Sequence, residues 1–357
     1  MRKFVVIVLT AFAILLCSCG NGGSLGEAYR LISNAYMTTN GGEFLISNDG
    51  KLKFYDFTSM VETYVCSKPN CQHNDESVCS AYGMGYHPFF FGDSLYFFDT
   101  GFKNEDGRTV CYSELWKAKP DGSSRKKLAT VNARLETYYS AVLNGNMLYF
   151  AGAQPEFDEF GTTSGKGFQA LYSLNLNTNK SEKLYDFCEG YHSYGNVNGI
   201  FGNKLYFLGG SSEVKIDFTA ENCTDTSEAF YYVMDLNSGE IKPSDMPIPK
   251  FVCPDCYVGV KDGKTIIYKP DSAEPIILDS FIEDRYPDIR LINNKLFSRF
   301  DGKVYDLETG KIYTLLTEPK VEIKAYINGS YIVCKFEVDK YIFGKASESD
   351  LIGEEIS

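Results

Sequence analysis

The sequence predicts an all-β protein, a β-propeller built from four-stranded antiparallel blades. Three observations support this: an excess of aromatic residues, an almost complete lack of helical periodicity, and a strand motif that recurs along the chain. Aromatic residues make up 15% of the 357 residues, with 26 Tyr and 26 Phe but one Trp, and such residues are enriched in strands. The apolar runs are short and separated by turn dipeptides, which is typical of antiparallel hairpins.

The motif is clearest in residues 286–317. Four short apolar runs are separated there by Asn-Asn, Asp-Gly and Thr-Gly pairs, and an Asp-Gly pair also occurs at 106–107. These residues tolerate the left-handed backbone of tight turns. The pattern therefore predicts a four-stranded meander with the strands 288–292, 295–300, 303–307 and 311–316.

The same repeat recurs along the chain. Its second strand contains Leu-Tyr-Phe at 95–97, 148–150 and 205–207. Seven copies can be counted, which favours seven blades over six, and a long β-sandwich would not predict repeated meanders in strict order. The last copy, 321–347, lacks an obvious fourth strand. We expect residues 29–38 to supply it, because closure removes an exposed sheet edge.

The N-terminus predicts a lipoprotein signal peptide over residues 1–18. Arg2 and Lys3 precede an apolar run at 4–16, which is short for a membrane span of about 20 residues. The following Leu16-Cys17-Ser18-Cys19 resembles the bacterial lipobox, and this resemblance implies that Cys19 is lipidated. An ordinary signal peptide cleaved nearby and an uncleaved anchor are the alternatives.

The predicted signal peptide and lipidation site also predict where the protein is located. Residues 19–28 are the predicted lipidated cysteine and flexible Gly-rich tether, and residues 29–357 are the predicted single propeller domain. Several acyl chains on one cysteine anchor a protein lastingly. We therefore expect an extracytoplasmic protein that is lipid-anchored to the bacterial cell membrane, with the lipid bilayer as a partner.

The charge of the chain excludes one class of partner. The net charge is −12, and −14 once Arg2 and Lys3 are removed. Nucleic-acid binding requires clustered basic residues, so we expect no nucleic-acid partner. The same negative charge predicts repulsion from anionic headgroups. We therefore expect the propeller domain to be held away from the membrane surface at the end of its tether.

Four residues between the first two repeats form a predicted metal or disulfide site. Three thiols and an imidazole, spaced C-x4-C-x-H-x5-C, suit a tetrahedral structural zinc, and four protein ligands leave no open position for catalysis. A disulfide is the rival in an exported chain. Nine cysteines follow residue 19, an odd number that leaves six if three bind a metal. The four residues are Cys66, Cys71, His73 and Cys79.

Two segments resemble known propeller proteins. Residues 115–123, followed by Lys127-Leu128, resemble the repeats of TolB-like propellers. Residues 65–79, with their Cys-x-Lys-Pro-x-Cys-x-His sequence, resemble the receptor-type propeller domain of unknown function of clostridial-type surface lipoproteins. The resemblance implies the propeller fold and a location at the cell surface, and it would allow a role in the assembly of an envelope complex.

A C-x-x-C motif occurs at Cys253-Pro254-Asp255-Cys256. A redox role in a thioredoxin-like unit would place the motif at the start of a helix, whereas here it precedes a predicted strand at 257–260. We therefore prefer a local disulfide or two unpaired thiols.

The long connections point to one face of the propeller. Connections that leave strands 2 and 4 of a meander share one face, and three long second-to-third connections are predicted at Gly101–Val110, Gly152–Gly167 and Gly209–Glu228. The cysteine segment lies in a fourth-to-first connection, so we expect it on the same face. Function often lies on loops that a rigid scaffold presents, which makes this face the candidate site.

The innermost strands are predicted to begin on that face too. A ring of Tyr side chains with two His and one Arg at a channel mouth would stack on sugars or bind a peptide carboxylate. Packing of the Tyr residues between blades is the alternative. The candidate ligand-binding residues are Tyr86, His87, Tyr138, Tyr139, Tyr191, His192, Tyr257, Arg285 and Tyr286.

Three functions are compatible with this pattern. The first is a non-enzymatic surface platform that binds a glycan, a peptide or a partner protein. The second is a polysaccharide lyase or hydrolase with its site in the channel mouth, which needs acid–base groups within hydrogen-bond reach of the substrate. The third is an envelope-complex assembly factor. We favour the first, because no set of catalytic residues can be assigned.

Overall fold

A computed structural model of the chain describes the following residues: 29–32, 37–39, 41–47, 50–105, 108–135, 141–157, 163–191, 193–216, 223–270, 272–279, 281–282, 288–318, 321–337 and 340–356. The strands and the helix have these bounds in chain order: β1 Tyr29–Ile32, β2 Met37–Thr39, β3 Gly42–Ile46, β4 Leu52–Asp56, β5 Val61–Tyr64, β6 Tyr86–Phe91, β7 Ser94–Glu105, β8 Arg108–Ala118, β9 Lys126–Val131, β10 Arg134–Leu135, β11 Ala141–Asn144, β12 Met147–Phe157, β13 Thr163–Asn175, β14 Lys180–Tyr191, β15 Ser193–Phe201, β16 Lys204–Ile216, β17 Cys223–Asp235, β18 Ile241–Pro243, β19 Ile248–Cys253, β20 Cys256–Lys261, β21 Lys264–Tyr268, β22 Ile276–Asp279, β23 Ile289–Ile292, β24 Lys295–Ser298, β25 Lys303–Asp306, β26 Ile312–Leu315, β27 Val321–Ile327, β28 Ser330–Glu337, β29 Lys340–Ala346, α1 Glu348–Leu351 and β30 Ile352–Ile356.

The fold is an all-β, seven-bladed propeller of small antiparallel sheets, which confirms the predicted class. Seven blades, not six, are present in the described part of the chain. In chain order the sheets are β2-β3-β4-β5, β6-β7-β8-β9, β1-β11-β12-β13-β14 with β10 on β12, β15-β16-β17-β18, β19-β20-β21-β22, β23-β24-β25-β26-β30 and β27-β28-β29, called sheets 1 to 7 below.

The chain divides into two compact units. The first unit consists of Thr38–Val65 and Asp284–Ser357 and contains sheets 1, 6 and 7. The second unit consists of Gly26–Met37 and Cys66–Glu283 and contains sheets 2, 3, 4 and 5.

The recurrent Leu-Tyr-Phe motif forms a buried inner strand in each of sheets 2, 3 and 4. All nine of its side chains are buried, from Leu95 in β7 through Leu148 in β12 to Phe207 in β16. A strand that is apolar on both faces must be covered on both faces, and this explains why the motif lacks the polar alternation of a half-exposed strand.

The predicted meander at 286–317 is confirmed as β23 to β26. The turn between β23 and β24 places Asn293 and Asn294 at φ 51° and 58°, and Gly310 lies at φ 74° in the last turn. Asn and Gly are the residues that adopt this region at the lowest cost, so the turn chemistry fixed the strand bounds.

The prediction that residues 29–38 complete the last blade was wrong. Strand β1 pairs antiparallel with β11 of sheet 3, with Tyr29 opposite Asn144, and β2 belongs to sheet 1. Sheet 7 has three strands in the described part of the chain. The C-terminal strand β30 pairs with β26 of sheet 6 instead, with Ile312 opposite Ile356.

The long second-to-third connections are β-ribbons, not loops. Strand β7 remains paired with β8 as far as Glu105 opposite Arg108. Strands β12 and β13 continue to Phe157 opposite Thr163, and β16 and β17 continue to Ile216 opposite Cys223. Continued pairing satisfies the backbone donors and acceptors that an open loop would leave to water.

Lys324 lies at the centre of a buried ion-pair network in the first unit. The side chains of Lys324 and Glu43 are both 0% exposed, and their Nζ and Oε1 atoms are 3.0 Å apart. Nζ also lies 2.7 Å from Glu322 Oε2. Arg290 and Arg299 each contact the Glu322 carboxylate at 3.2 Å. The network therefore joins sheets 1, 6 and 7 through charge.

Among the described residues there is no helix with the length and the apolar character that crossing a bilayer requires.

Candidate functional site

The connection between β5 and β6 gathers the three thiols and the imidazole predicted to form a site. One ligand atom from each of Cys66, Cys71, His73 and Cys79 lies within 4.8 Å of all the others. His73 Nδ1 and Cys79 Sγ are 3.3 Å apart. We call this group the Cys/His cluster.

The local backbone of the Cys/His cluster follows from its turn residues. Asn70 and His73 adopt left-handed conformations, at φ 60° and 53°. The Cys71 amide donates to the Lys68 carbonyl at 3.2 Å, and the Cys79 amide donates to the Asp75 carbonyl at 3.0 Å. These two turns bring residues thirteen positions apart to one point without regular secondary structure.

Arg125 fixes the residues that follow Cys79 of the Cys/His cluster. Its guanidinium donates to the backbone carbonyls of Ser80 and Tyr82, each at 2.6 Å, and of Gly83, at 2.9 Å. The same group lies 5.6 Å from the centroid of the Phe97 ring. The planar fork of arginine can satisfy several carbonyls at once, so Arg125 serves as the hub for the turn after Cys79.

The turn between β8 and β9 is a second anchor for the segment. The Ser67 hydroxyl donates to the Asp121 carboxylate, and the Ser80 hydroxyl donates to the Asp121 carbonyl at 2.8 Å. Burial opposes ionisation, but hydrogen bonds from Ser123 and Ser67 hold the pKa of Asp121 below its usual range. An ionised carboxylate is the stronger acceptor, which strengthens the anchor.

This docking corrects the predicted position of the cysteine segment. We expected it on the face of the long second-to-third connections. The β8–β9 turn that holds it follows Ala118, at the end of β8 opposite to Arg108, which pairs with Glu105 of β7. The connection from 65 to 85 is long enough to run along sheet 2, and Arg125 and Asp121 determine where it docks.

The geometry of the Cys/His cluster would accommodate a metal ion. Zinc–sulfur and zinc–nitrogen bonds of about 2.3 and 2.0 Å in a tetrahedron place neighbouring ligand atoms about 3.5–3.8 Å apart, which the distances up to 4.8 Å approach. A disulfide would unite two sulfurs and leave the third sulfur and the imidazole unused. None of the seven cysteines whose side chains the structure describes forms a disulfide.

The thiol of Cys66 is prepared for ionisation. Burial raises the pKa of Cys66, but hydrogen bonds with Ser80, Lys68 and Cys71 outweigh burial and lower it to about 7. A thiolate is the form of cysteine that binds metal.

His87 occupies a strained and buried position at the start of sheet 2. It is 1% exposed, its φ is 54°, and neither ring nitrogen has a hydrogen-bond partner. The β6–β7 register shifts between Tyr86 and Phe89, on either side of His87. Burial lowers the pKa of His87 to about 4, so the imidazole is neutral at physiological pH.

Tyr257 lies in the core of the second unit. It is fully buried, and its hydroxyl donates to the Pro247 carbonyl. Its ring contacts Tyr206 and Tyr268 at centroid distances of 4.9 and 6.0 Å. As placed, Tyr257 and His87 both lie away from solvent.

The other candidate ligand-binding residues stay predictions. Tyr86 and Tyr191 lie in β6 and β14, and the structure describes the backbone of both. The remaining candidates lie outside the described residues: Tyr138, Tyr139, His192, Arg285 and Tyr286.

Exposed aromatic side chains on the ribbons were not predicted. Phe102 of β7 is 58% exposed, and its ring meets the half-buried Phe157 of β12 edge-on at 5.6 Å. Phe230 of β17 is also exposed. The Asp-Gly pair at 106–107 predicts a turn, but no local pattern distinguishes the exposed Phe102 from the aromatic residues of the core. We call Phe102 and Phe157 the ribbon aromatic pair.

Comparisons with known proteins found distant structural neighbours and no family. No family model and no curated protein sequence matches the chain. An oligogalacturonate lyase in complex with manganese has a TM-score of 0.44 at 10% identity, over 88% of this chain and 89% of that one. The acylaminoacyl peptidase of Pyrococcus horikoshii has a TM-score of 0.38 at 13% identity, over 76% and 45%. The oligogalacturonate lyase of Vibrio parahaemolyticus has a TM-score of 0.34 at 10% identity, over 89% and 77%. These neighbours are lyases and a peptidase, and similarity at this level says nothing about a ligand or a reaction of this chain.

The position of His87 predicts an acid-sensitive stability. The pKa is about 4 in the folded chain and about 6.5 in the unfolded chain. Between these values the unfolded chain binds the extra proton, so the free energy of unfolding falls as the pH is lowered. Between pH 7 and pH 4 the loss is about 3 kcal/mol. Urea denaturation of His87→Asn should show a correspondingly flatter pH dependence than the wild type.

The control for this prediction is Tyr257→Phe. This substitution removes a buried hydrogen bond but no group that titrates between pH 4 and pH 7. It should therefore lower the free energy of unfolding equally at pH 4 and at pH 7. An unchanged pH dependence in His87→Asn would contradict the assignment.

Proposed function

We propose that the chain is a lipid-anchored, extracytoplasmic propeller that binds an extracellular glycan, peptide or partner protein without catalysing a reaction. The ribbon aromatic pair is the observation that supports this best. An exposed aromatic side chain such as Phe102, next to a second aromatic ring that is only half-buried, is typical of recognition surfaces. Aromatic rings also suit both sugar faces and protein side chains.

The two candidate acid–base side chains that the structure describes, His87 and Tyr257, have positions that agree with a binding role. General acid–base catalysis needs groups that reach the substrate. His87 is sealed from solvent and neutral at physiological pH, and the Tyr257 hydroxyl is engaged by a backbone carbonyl. Neither side chain reaches the surface, where a bound molecule would lie.

Removal of the aromatic ring at position 102 should weaken ligand binding. We expect Phe102→Ala to reduce the affinity for hits from glycan and peptide arrays about tenfold, since one central aromatic contact contributes more than 1 kcal/mol. The measurement is array binding, then titration, with the lipidated full-length chain in liposomes. Phe336→Ala is the matched control, because Phe336 is 53% exposed and also contacts one aromatic ring. Equal binding by Phe102→Ala and the wild type would exclude the ribbon pair as the contact surface.

The anchor rests on the lipobox resemblance of Leu16-Cys17-Ser18-Cys19. We expect Cys19→Ser to abolish incorporation of labelled palmitate and to release the chain from the membrane fraction. Cys17→Ser changes the neighbouring cysteine and should leave both unchanged. Labelling that persists in Cys19→Ser would place the modification elsewhere.

We propose that the Cys/His cluster holds one structural Zn²⁺. The three sulfurs and the imidazole would be its ligands, and a bound ion would neutralise the thiolates and fix the segment beside sheet 2. With four protein ligands there is no open position for a water or a substrate. The cluster would therefore stabilise the scaffold and take no part in a reaction.

Metal analysis of the purified full-length chain tests this assignment. We expect about one zinc per chain by plasma mass spectrometry, lowered at least tenfold in Cys71→Ser, because loss of one thiolate removes a quarter of the ligand set. Cys253→Ser is the control, since it removes a cysteine outside the cluster. Absence of metal, together with two of the three thiols at 66, 71 and 79 blocked, would instead establish a disulfide.

A further inference from the structure

The C-x-x-C motif forms the turn of a β-hairpin. Strand β19 ends at Cys253, β20 begins at Cys256, and the two residues are directly opposite each other in the register. Pro254 and Asp255 form the two-residue turn between them, and both keep negative φ. Directly opposed residues in antiparallel strands have Cα atoms about 4.5–5.5 Å apart, which is within the range of about 4.4–6.8 Å that a disulfide accepts.

The two sulfurs are already in contact. Cys253 Sγ and Cys256 Sγ are 3.8 Å apart and share a hydrogen bond. A disulfide bond requires about 2.05 Å, a difference that side-chain rotation can supply. The bond would therefore form without a change in strand pairing.

The two thiols differ in access and in their surroundings. Cys253 is half-buried, whereas Cys256 is buried. The Cys256 thiol and the backbone amides of Cys256 and Asp255 all donate to the Cys253 sulfur and lower the pKa of Cys253. The pKa of Cys256 is raised, because this thiol donates its hydrogen bond to Cys253 and is buried. The turn amides thus stabilise a thiolate at Cys253 in the way that a helix N-terminus does in other C-x-x-C sites.

We propose that Cys253 and Cys256 are a dithiol–disulfide exchange site for small, accessible disulfides, with Cys253 as the attacking thiol and Cys256 as the resolving thiol. The site is separate from the ribbon aromatic pair and from the Cys/His cluster, so it does not depend on the proposed functions of either.

The reaction balances in two steps. The Cys253 thiolate attacks one sulfur of an external disulfide, a mixed disulfide forms at Cys253, and the other half leaves as a thiolate that takes up the proton Cys253 has lost. Cys256 then loses its proton and attacks the Cys253 sulfur. The internal disulfide forms and the second half leaves with that proton. Two protein thiols are oxidised, and one external disulfide is reduced to two thiols.

The test uses the reduced full-length chain and 4,4′-dithiodipyridine as the disulfide. Peptide mass spectrometry follows each cysteine separately, so that reaction at other thiols does not interfere. In the wild type we expect the Cys253–Cys256 disulfide to form without an adduct that persists at Cys253. In Cys256→Ser the thiopyridyl adduct should accumulate at Cys253, because the resolving thiol is gone.

The reverse variant tests the order of attack. In Cys253→Ser we expect modification of Cys256 to be at least about tenfold slower than modification of Cys253 in Cys256→Ser, since Cys256 is buried and protonated. Equal rates would overturn the assignment, and so would an adduct that persists at wild-type Cys253. If a variant fails to fold, brief alkylation of the native wild type decides the order: Cys253 should be labelled before Cys256, and labelling in the opposite order would refute the proposal.

Discussion

The packing of the first compact unit depends on pairing one buried charge, the ammonium of Lys324. Removal of such an ion from water costs several kcal/mol unless opposite charges replace the water. Two carboxylates, Glu43 and Glu322, do so at 3.0 and 2.7 Å. Arg290 and Arg299 then balance the charge of Glu322. Because these residues come from three sheets, the sheets must meet in one arrangement for the charges to be paired.

The same pair shows that burial and attraction compete. Burial raises the pKa of Glu43, while Lys324 lowers it, and burial is the larger effect. One oxygen of Glu43, Oε2, has no hydrogen-bond partner. Replacing a buried ion pair with apolar residues is often neutral or stabilising. The value of this pair therefore lies in the specificity of the packing more than in a gain of stability.

Much of the fold follows from local sequence, and the exceptions have physical reasons. Turn pairs such as Asn293-Asn294 dictate a left-handed backbone by themselves, so the meander from β23 to β26 could be predicted strand by strand. Partner choice cannot be derived in this way. Nothing within Tyr29–Ile32 specifies that it pairs with β11, because the competing sheet edges all present the same backbone groups.

The candidate site shows the same division. The spacing of three cysteines and one histidine was enough to predict that they would meet. Where they dock depends on Arg125, which donates to three carbonyls that lie more than forty residues earlier in the chain. The C-x-x-C motif lacked the expected helix, yet the amides of a two-residue turn supply similar donors at Cys253. Sequence patterns identified the reactive groups, and tertiary contacts determined their surroundings.

The large sequence separation of Glu43 and Lys324 constrains the order in which the two units can fold. The two residues are 281 positions apart, and the second unit, Cys66–Glu283, lies almost entirely between them. A chain that emerges from its N-terminus exposes Glu43 early, while its counter-ion arrives near the end. During translation or export the second unit can mature first. Sheet 1 cannot complete its packing, because the Glu43 carboxylate has no counter-ion until the last fifth of the polypeptide has emerged.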